Sequence, residues 1–182
     1  MIRILLEILA IICLGIIQVS FLTTWPAPVS SLNLIFTLVI FFTVIISYRR
    51  GLIWGLGGGL FLELYSGSIF GANVLALMLT VIFINFLFSN LFTNRSLYSL
   101  LILGFIGTIS YNLVITFYNL VGLGFGLNVS FVEFDFWRQF FWQPLFNVLI
   151  LAIIFICYYL STGRLRNIFL ITSDFYETKG SR

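Results

Sequence analysis

The sequence predicts an all-α integral membrane protein: a bundle of six transmembrane helices with both termini cytoplasmic. Three observations carry this. Of 182 residues, 61% are hydrophobic and 8% charged, and the mean hydropathy is +1.15. That is too little charge to cover a soluble globule of this size. The apolar runs are apolar on every side and broken only by brief polar stretches, whereas a transmembrane barrel would alternate polar and apolar residues within short segments. Finally, 22 Phe and four Trp suit lipid contact and the membrane interface.

The first run, 4–22, holds Glu7 near its start and ends before a stiff loop containing Pro26 and Pro28. It is longer than a signal-peptide core, and no Ala-x-Ala site follows, so it is expected to be retained as a span. The second run, 32–48, stops at Arg49-Arg50. The third, 52–64, is short for a hydrocarbon core of ~30 Å crossed at ~1.5 Å per residue. It is expected to borrow Arg49 to Gly51 at one end and Tyr65 at the other. The fourth run covers 69–92, and the fifth, 97–121, is long enough to tilt or project. The longest loop, 122–138, contains Gly122, Gly124, Gly126, Glu133 and Asp135. The sixth run is 140–160; Pro144 allows either a first-turn start or a kink, and Trp137 and Trp142 offer interface anchors. The chain thus divides into a six-span membrane domain, 1–161, and a short cytoplasmic tail, 162–182. In the tail, residues 168–171 beside Arg164 and Arg166 fit either a headgroup-binding segment or a partly ordered end.

Basic residues test the span count independently, because they concentrate in short cytoplasmic loops. Six spans with both termini inside put Arg3, Arg49, Arg50, Arg95, Arg164, Arg166, Lys179 and Arg182 on the inner side and only Arg138 outside. If 52–64 re-entered without crossing, Arg95 would change sides relative to Arg50 and the bias would weaken. The net charge of +3 does not indicate nucleic acid, because these residues are scattered singly or in pairs.

Chemistry has few candidates. The chain has no histidine and two cysteines, Cys13 and Cys157, each inside an apolar run and read as a small buried thiol. No metal spacing, nucleophile constellation or phosphate-cradling loop appears, so no catalytic residue, metal or cofactor is expected.

Small and polar residues cluster instead. Gly51, Gly55, Gly59, Glu63, Gly67 and Gly71 recur every fourth position, a stripe that winds by about 40° per step on a helix. Gly57 and Gly58 broaden it. Such a surface lets a second helix approach closely, whether from this chain or from another membrane protein. Glu63 falls near the outer boundary, where water is expected to reach it, with Ser66, Ser68, turn amides, Tyr65 or Asn73 as partners. A helix-end hydrogen-bond network is the favoured role, ahead of a partner or ligand contact; the shallow depth disfavours proton coupling. Asn85, Asn112, Asn119, Gln143 and Asn147 lie in apolar stretches and need partners. Tyr111-Asn112 and Tyr118-Asn119 are seven residues apart and share a helix face. They either line a cavity or connect helices, and the second use is commoner in membrane bundles.

The pattern Gly59-Leu60-x-x-Glu63-x-x-Ser66-Gly67-x-x-x-Gly71, preceded by Asn33-Leu34 and by Arg49-Arg50-Gly51-Leu52, resembles the bacterial rod shape-determining MreD family. That family shows Pro-[Asn/Asp]-Leu and, later, Gly-Leu-x-x-Asp before a Ser-Gly or similar small turn. Here Ser31-Leu32-Asn33-Leu34 lacks the proline next to Asn33, and Glu63 stands where Asp is usual. The motif covers mainly residues 33–77, while length and span count are similar over most of the chain. The resemblance implies a non-enzymatic scaffold or regulator of the cell-elongation complex in the bacterial inner membrane, supporting rod shape and lateral peptidoglycan synthesis. Its implied partners are MreC and, directly or indirectly, MreB filaments, RodA and a penicillin-binding transpeptidase, together with membrane lipids. In this reading Gly51, Gly55 and Gly59, or the helices beside them, meet the single transmembrane helix of MreC, and Leu60, Glu63, Ser66, Gly67 and Gly71 maintain the outer end. At fold level the family resembles the six-helix substrate-binding subunits of energy-coupling-factor vitamin transporters. The alternative is therefore a small-solute-binding subunit with an outer-facing cavity and an ATPase partner. An uncoupled channel would need a continuous polar path, which the scattered asparagines do not establish.

Overall fold

A computed structural model describes residues 2–22, 24–25, 29–65, 70–92, 96–125 and 133–162. Those residues are mostly helical, with no strand among them. α1, Ile2–Ile17, continues as a π-helical turn, Gln18–Leu22. A short 3-10 turn, Val29–Ser31, leads into α2, Leu34–Phe41, which also relaxes into a π-helical stretch, Phe42–Ile46. α3 is Tyr48–Tyr65, α4 Ala72–Leu91, α5 Leu97–Gly124 and α6 Glu133–Thr162.

The shortest helix is the central one. α2 is hydrophobic all round, a pattern that suits burial in a core as well as contact with lipid. Ile35, Phe36, Thr37, Val39, Ile40 and Phe41 are buried, and α2 packs against α3, α5 and α6. Together α2 and its π-helical extension run only over 34–46, shorter than the expected 32–48. The extension ends because Ser47 is fully extended, φ −168° and ψ 149°. Its N–H donates to the Phe42 carbonyl at 2.9 Å, and its hydroxyl accepts the Arg50 N–H at 3.4 Å. One residue therefore reverses the chain, and Arg49 and Arg50 sit in the first turn of α3 instead of a loop. α3 takes in the flanking residues at both ends of the 52–64 run.

Beyond α3 the helices stack in order, α3 on α4, α4 on α5 and α5 on α6, with α1 resting chiefly on α3. The apolar core comprises Val39, Ile40 and Val44 of the α2 rod, Leu77, Val81 and Ile84 of α4, Leu100 and Leu103 of α5, and Leu151 and Phe155 of α6. Glycines set the close approaches. A Cβ on Gly59 would lie 2.8 Å from the Val74 backbone, and one on Gly107 would lie 3.1–3.2 Å from Ile84 and Ile40. Gly104 gives way to Leu151, and Gly15 to the Phe61 ring.

Two helices are longer than expected. α5 continues through Gly122 to Gly124, and α6 begins at Glu133, so the expected 122–138 loop contracts from both ends. Pro144 lies well inside α6 and is not at its first turn. Both thiols, expected to be buried, are exposed on the bundle exterior. Neighbouring aliphatics share that exterior: Ile12 and Ile16 beside Cys13, and Ile153, Ile156 and Leu160 around Cys157, are all exposed. Three helical stretches, Ala72–Leu91, Leu97–Gly124 and Phe140–Thr162, are long and apolar enough to cross a membrane, and Leu5–Ser20 and Leu34–Ile46 are shorter apolar helices.

Candidate functional site

Nearly all the strongly polar buried side chains of the bundle gather toward one end, where α1 and α3 finish and α2, α4 and α6 begin. A helix start leaves its first N–H groups without intrahelical partners, and burial makes those orphans costly. Two of these starts are satisfied by side chains from the preceding helix.

At the start of α2, Gln18 reaches across from the end of α1. Its Oε1 accepts the Leu34 N–H at 2.7 Å and the Ile35 N–H at 3.3 Å. Its Nε2 donates to the Leu32 carbonyl at 3.2 Å. Asn33 completes the cap by accepting the Phe36 N–H at 3.0 Å, the usual work of an Asn N-cap. Gln18 opens the π-helical turn of α1, a local widening often found where a side chain has a specific task.

At the start of α4 the N-cap is Gly71, held at φ +94°, where a side chain would be strained and where none is available to cap. Glu63 of α3 supplies the missing acceptor: its Oε2 takes the Asn73 N–H at 3.0 Å. A carboxylate at a helix N-terminus also faces the positive end of the helix dipole. Glu63 is only 7% exposed, so it does not face water as its position near a helix end led the sequence reading to expect. α4 folds back over it. Its second oxygen, Oε1, is buried without a hydrogen-bond partner.

Both caps are tied to the later helices. The Asn33 N–H donates to Asn147 Oδ1 of α6 at 3.1 Å, and Asn147 Nδ2 donates to Thr108 Oγ1 of α5 at 3.4 Å. The Tyr111 hydroxyl, one turn beyond Thr108, donates to Asn73 Oδ1 at 2.9 Å. Tyr111 also packs its ring 5.2 Å from Phe36 and lies within electrostatic reach of Glu63. One line of bonds therefore runs α1–α2–α6–α5, the other α3–α4–α5, and they meet on α5 at Thr108 and Tyr111. Below them the interior is apolar from Val44 and Val81 to Leu103 and Phe155. The threonines in that region, Thr43 and Thr80, return their hydroxyls to their own helix at 2.7 Å.

The remaining expected site residues separate by role. Gly51, Gly55 and Gly59 are buried, and the atoms facing them belong to this chain: Thr43 at Gly51, Val81 and Val39 at Gly55, and Val74 at Gly59. Leu60 points outward at 47% exposure and helps line an apolar groove of about 320 Å³ between α1 and α3, with Ile8, Ile12, Gly57 and Leu64. Asn112 and Asn147 are buried, while Asn119 is half-buried with an unpartnered Oδ1. Asn119's neighbour Tyr118 donates to the Phe70 carbonyl at 3.3 Å. Ser66 and Gly67 lie outside the described residues, as does the 162–182 tail beyond its first residue. The sequence reading did not single out Gln18 or Thr108. For Gln18 the available signal was an amide at the end of an apolar run, just before a proline-containing loop.

Among the described residues no three His, Cys, Asp or Glu side chains cluster as they would to hold a metal ion. What the cluster does is join helix ends. No protein-family model matches the chain, and neither the curated proteins nor the solved structures give a match.

Proposed function

We propose that the chain is a multi-pass scaffold of the bacterial cytoplasmic membrane, with both termini inside, acting in the cell-elongation complex in the manner of the MreD family and binding MreC. The motif resemblance around Glu63 supplies the family. The observation that carries a scaffold over a solute carrier is the allocation of polar groups. Gln18, Asn33, Asn73, Thr108, Tyr111 and Asn147 bond to one another or to helix starts and so bind the bundle together; among the described residues only Glu63 Oε1 and Asn119 Oδ1 are buried polar side-chain atoms without a hydrogen-bond partner, too few to surround a solute. The apolar interior below them likewise speaks against a continuous polar path.

Because Gly51, Gly55 and Gly59 already face α2 and α4, a partner helix has to use the outward surface. The groove between α1 and α3, with Leu60 at 47% and Leu64 at 77% exposure, offers apolar area beside the motif. Mild-detergent isolation followed by mass spectrometry of retained proteins and small molecules tests the assignment. Recovery of MreC, lost in Leu60→Trp/Leu64→Trp protein that remains folded, is the expected result. Recovery of a cytoplasmic ATPase together with a bound small solute would replace the scaffold by a transporter subunit.

A further inference from the structure

The Glu63 carboxylate is half used. Oε2 caps α4, but Oε1 is buried with no hydrogen-bond partner, and no described Lys or Arg pairs with it. Burying an ionised carboxylate is expensive unless its charge is answered. The start of α4 answers only about half a unit of charge, and it does so at the other oxygen. Glu63 also lies in the last turn of α3, which ends at Tyr65, the negative end of that helix's dipole. Asn73, whose N–H meets Oε2, carries a side-chain amide bonded to the Tyr111 hydroxyl; both thiols are on the exterior, and the chain has no histidine.

We propose that this cluster binds one alkali-metal cation on the Glu63 Oε1, at the junction of the α3 end and the α4 start. Oxygen donors without sulfur or imidazole select a hard cation. A single carboxylate matches a single positive charge, whereas a divalent ion would leave an unanswered charge in an apolar bundle. The cation completes the second half of the cap. It draws the α3 end toward the α4 start and so stabilises the hairpin on which Tyr111 and the rest of the network rest.

The test uses the full chain in mild detergent, melted in NaCl or KCl and in N-methyl-D-glucamine chloride at equal ionic strength. The melting temperature is expected to rise saturably with Na⁺ or K⁺ but not with the organic cation, because a ligand that binds only the folded state stabilises it by mass action. Equilibrium dialysis with radioactive sodium or rubidium is expected to find one ion per chain. Glu63→Gln keeps an acceptor for the Asn73 N–H and removes the charge, so both effects vanish. Glu63→Asp, a second variant in case Glu63→Gln does not fold, keeps the charge one methylene farther away and shifts saturation to about tenfold higher concentration or more. Melting that is the same in all three salts, or ion binding that survives Glu63→Gln, overturns the proposal.

Discussion

Gly59 and Gly55 share a stripe but differ in what surrounds them. A Cβ at Gly59 would lie 2.8 Å from the Val74 Cα, a backbone atom that cannot rotate away. At Gly55 the nearest atom is the Val81 Cγ2 at 3.4 Å, ordinary contact. Gly59→Leu is therefore expected to destabilise the bundle by about 1–3 kcal/mol or more through overpacking. Gly55→Ala fits the space and gains up to about 1 kcal/mol of helix propensity. Thermal melts of the two variants check this: Gly59→Leu falls below the parent, and Gly55→Ala equals or exceeds it. The even spacing of the glycines is visible in sequence, but which of them touches backbone is not, because that depends on where α4 crosses. Glu63 shows the same limit. Its place at a helix end could be read from the chain; its burial could not, because α4 folds over it.

At the scale of elements, α2 and α4 depend on side chains from the helices before them. Gln18 makes three bonds to the backbone around the start of α2, from 14 to 17 residues away. Gln18→Leu would leave buried N–H groups without acceptors, each worth about 1–3 kcal/mol when orphaned. The expected outcome is a clear fall in melting temperature, with amide hydrogen exchange rising first at Leu34 and Ile35. Asn33 and Asn147 form the corresponding tie between α2 and α6. In a double-mutant cycle of Thr108→Val and Asn147→Ala, whose side chains bond directly at 3.4 Å, the coupling energy is expected near the ~0.6 kcal/mol typical of interhelical polar pairs in membrane proteins. Asn33→Ala keeps the tie to Asn147, which its backbone N–H makes, and loses the N-cap of α2, a cost of about 0.5–2 kcal/mol. The limits of α5 and α6 were harder to read, since glycines and acids at 122–138 look like loop residues. The structure keeps Gly122 and Gly124 in α5 and starts α6 at Glu133.

At the scale of the molecule, the charge bias predicts that the Tyr48 end faces the cytoplasm and the Phe70 end the outside. Tyr48 and Phe70 are exposed at 37% and 80%, which makes them usable reporters. In protein lacking its own thiols (Cys13→Ser, Cys157→Ser), Phe70→Cys is expected to react with a membrane-impermeant maleimide in intact cells. Tyr48→Cys should react only after permeabilisation. The reverse pattern would invert the topology and place the Gln18–Glu63 cluster at the cytoplasmic face.

Composition and the lengths of the apolar runs were enough to predict helices, since backbone that leaves water must satisfy its hydrogen bonds within each segment. The small-residue stripe, the terminal acid of α3 and the short third run were likewise local features, legible one segment at a time. Tertiary structure alone decided which helix stands at the centre, because α2 is apolar all round and its pattern names no inner face. It also decided which polar groups meet. Asn33 and Asn147 are 114 residues apart, and Glu63 finds the Asn73 N–H only because a glycine turn brings α4 back against α3. A hydrogen bond is fixed by distances of about 3 Å, and no pattern along the chain carries distances of that kind between helices.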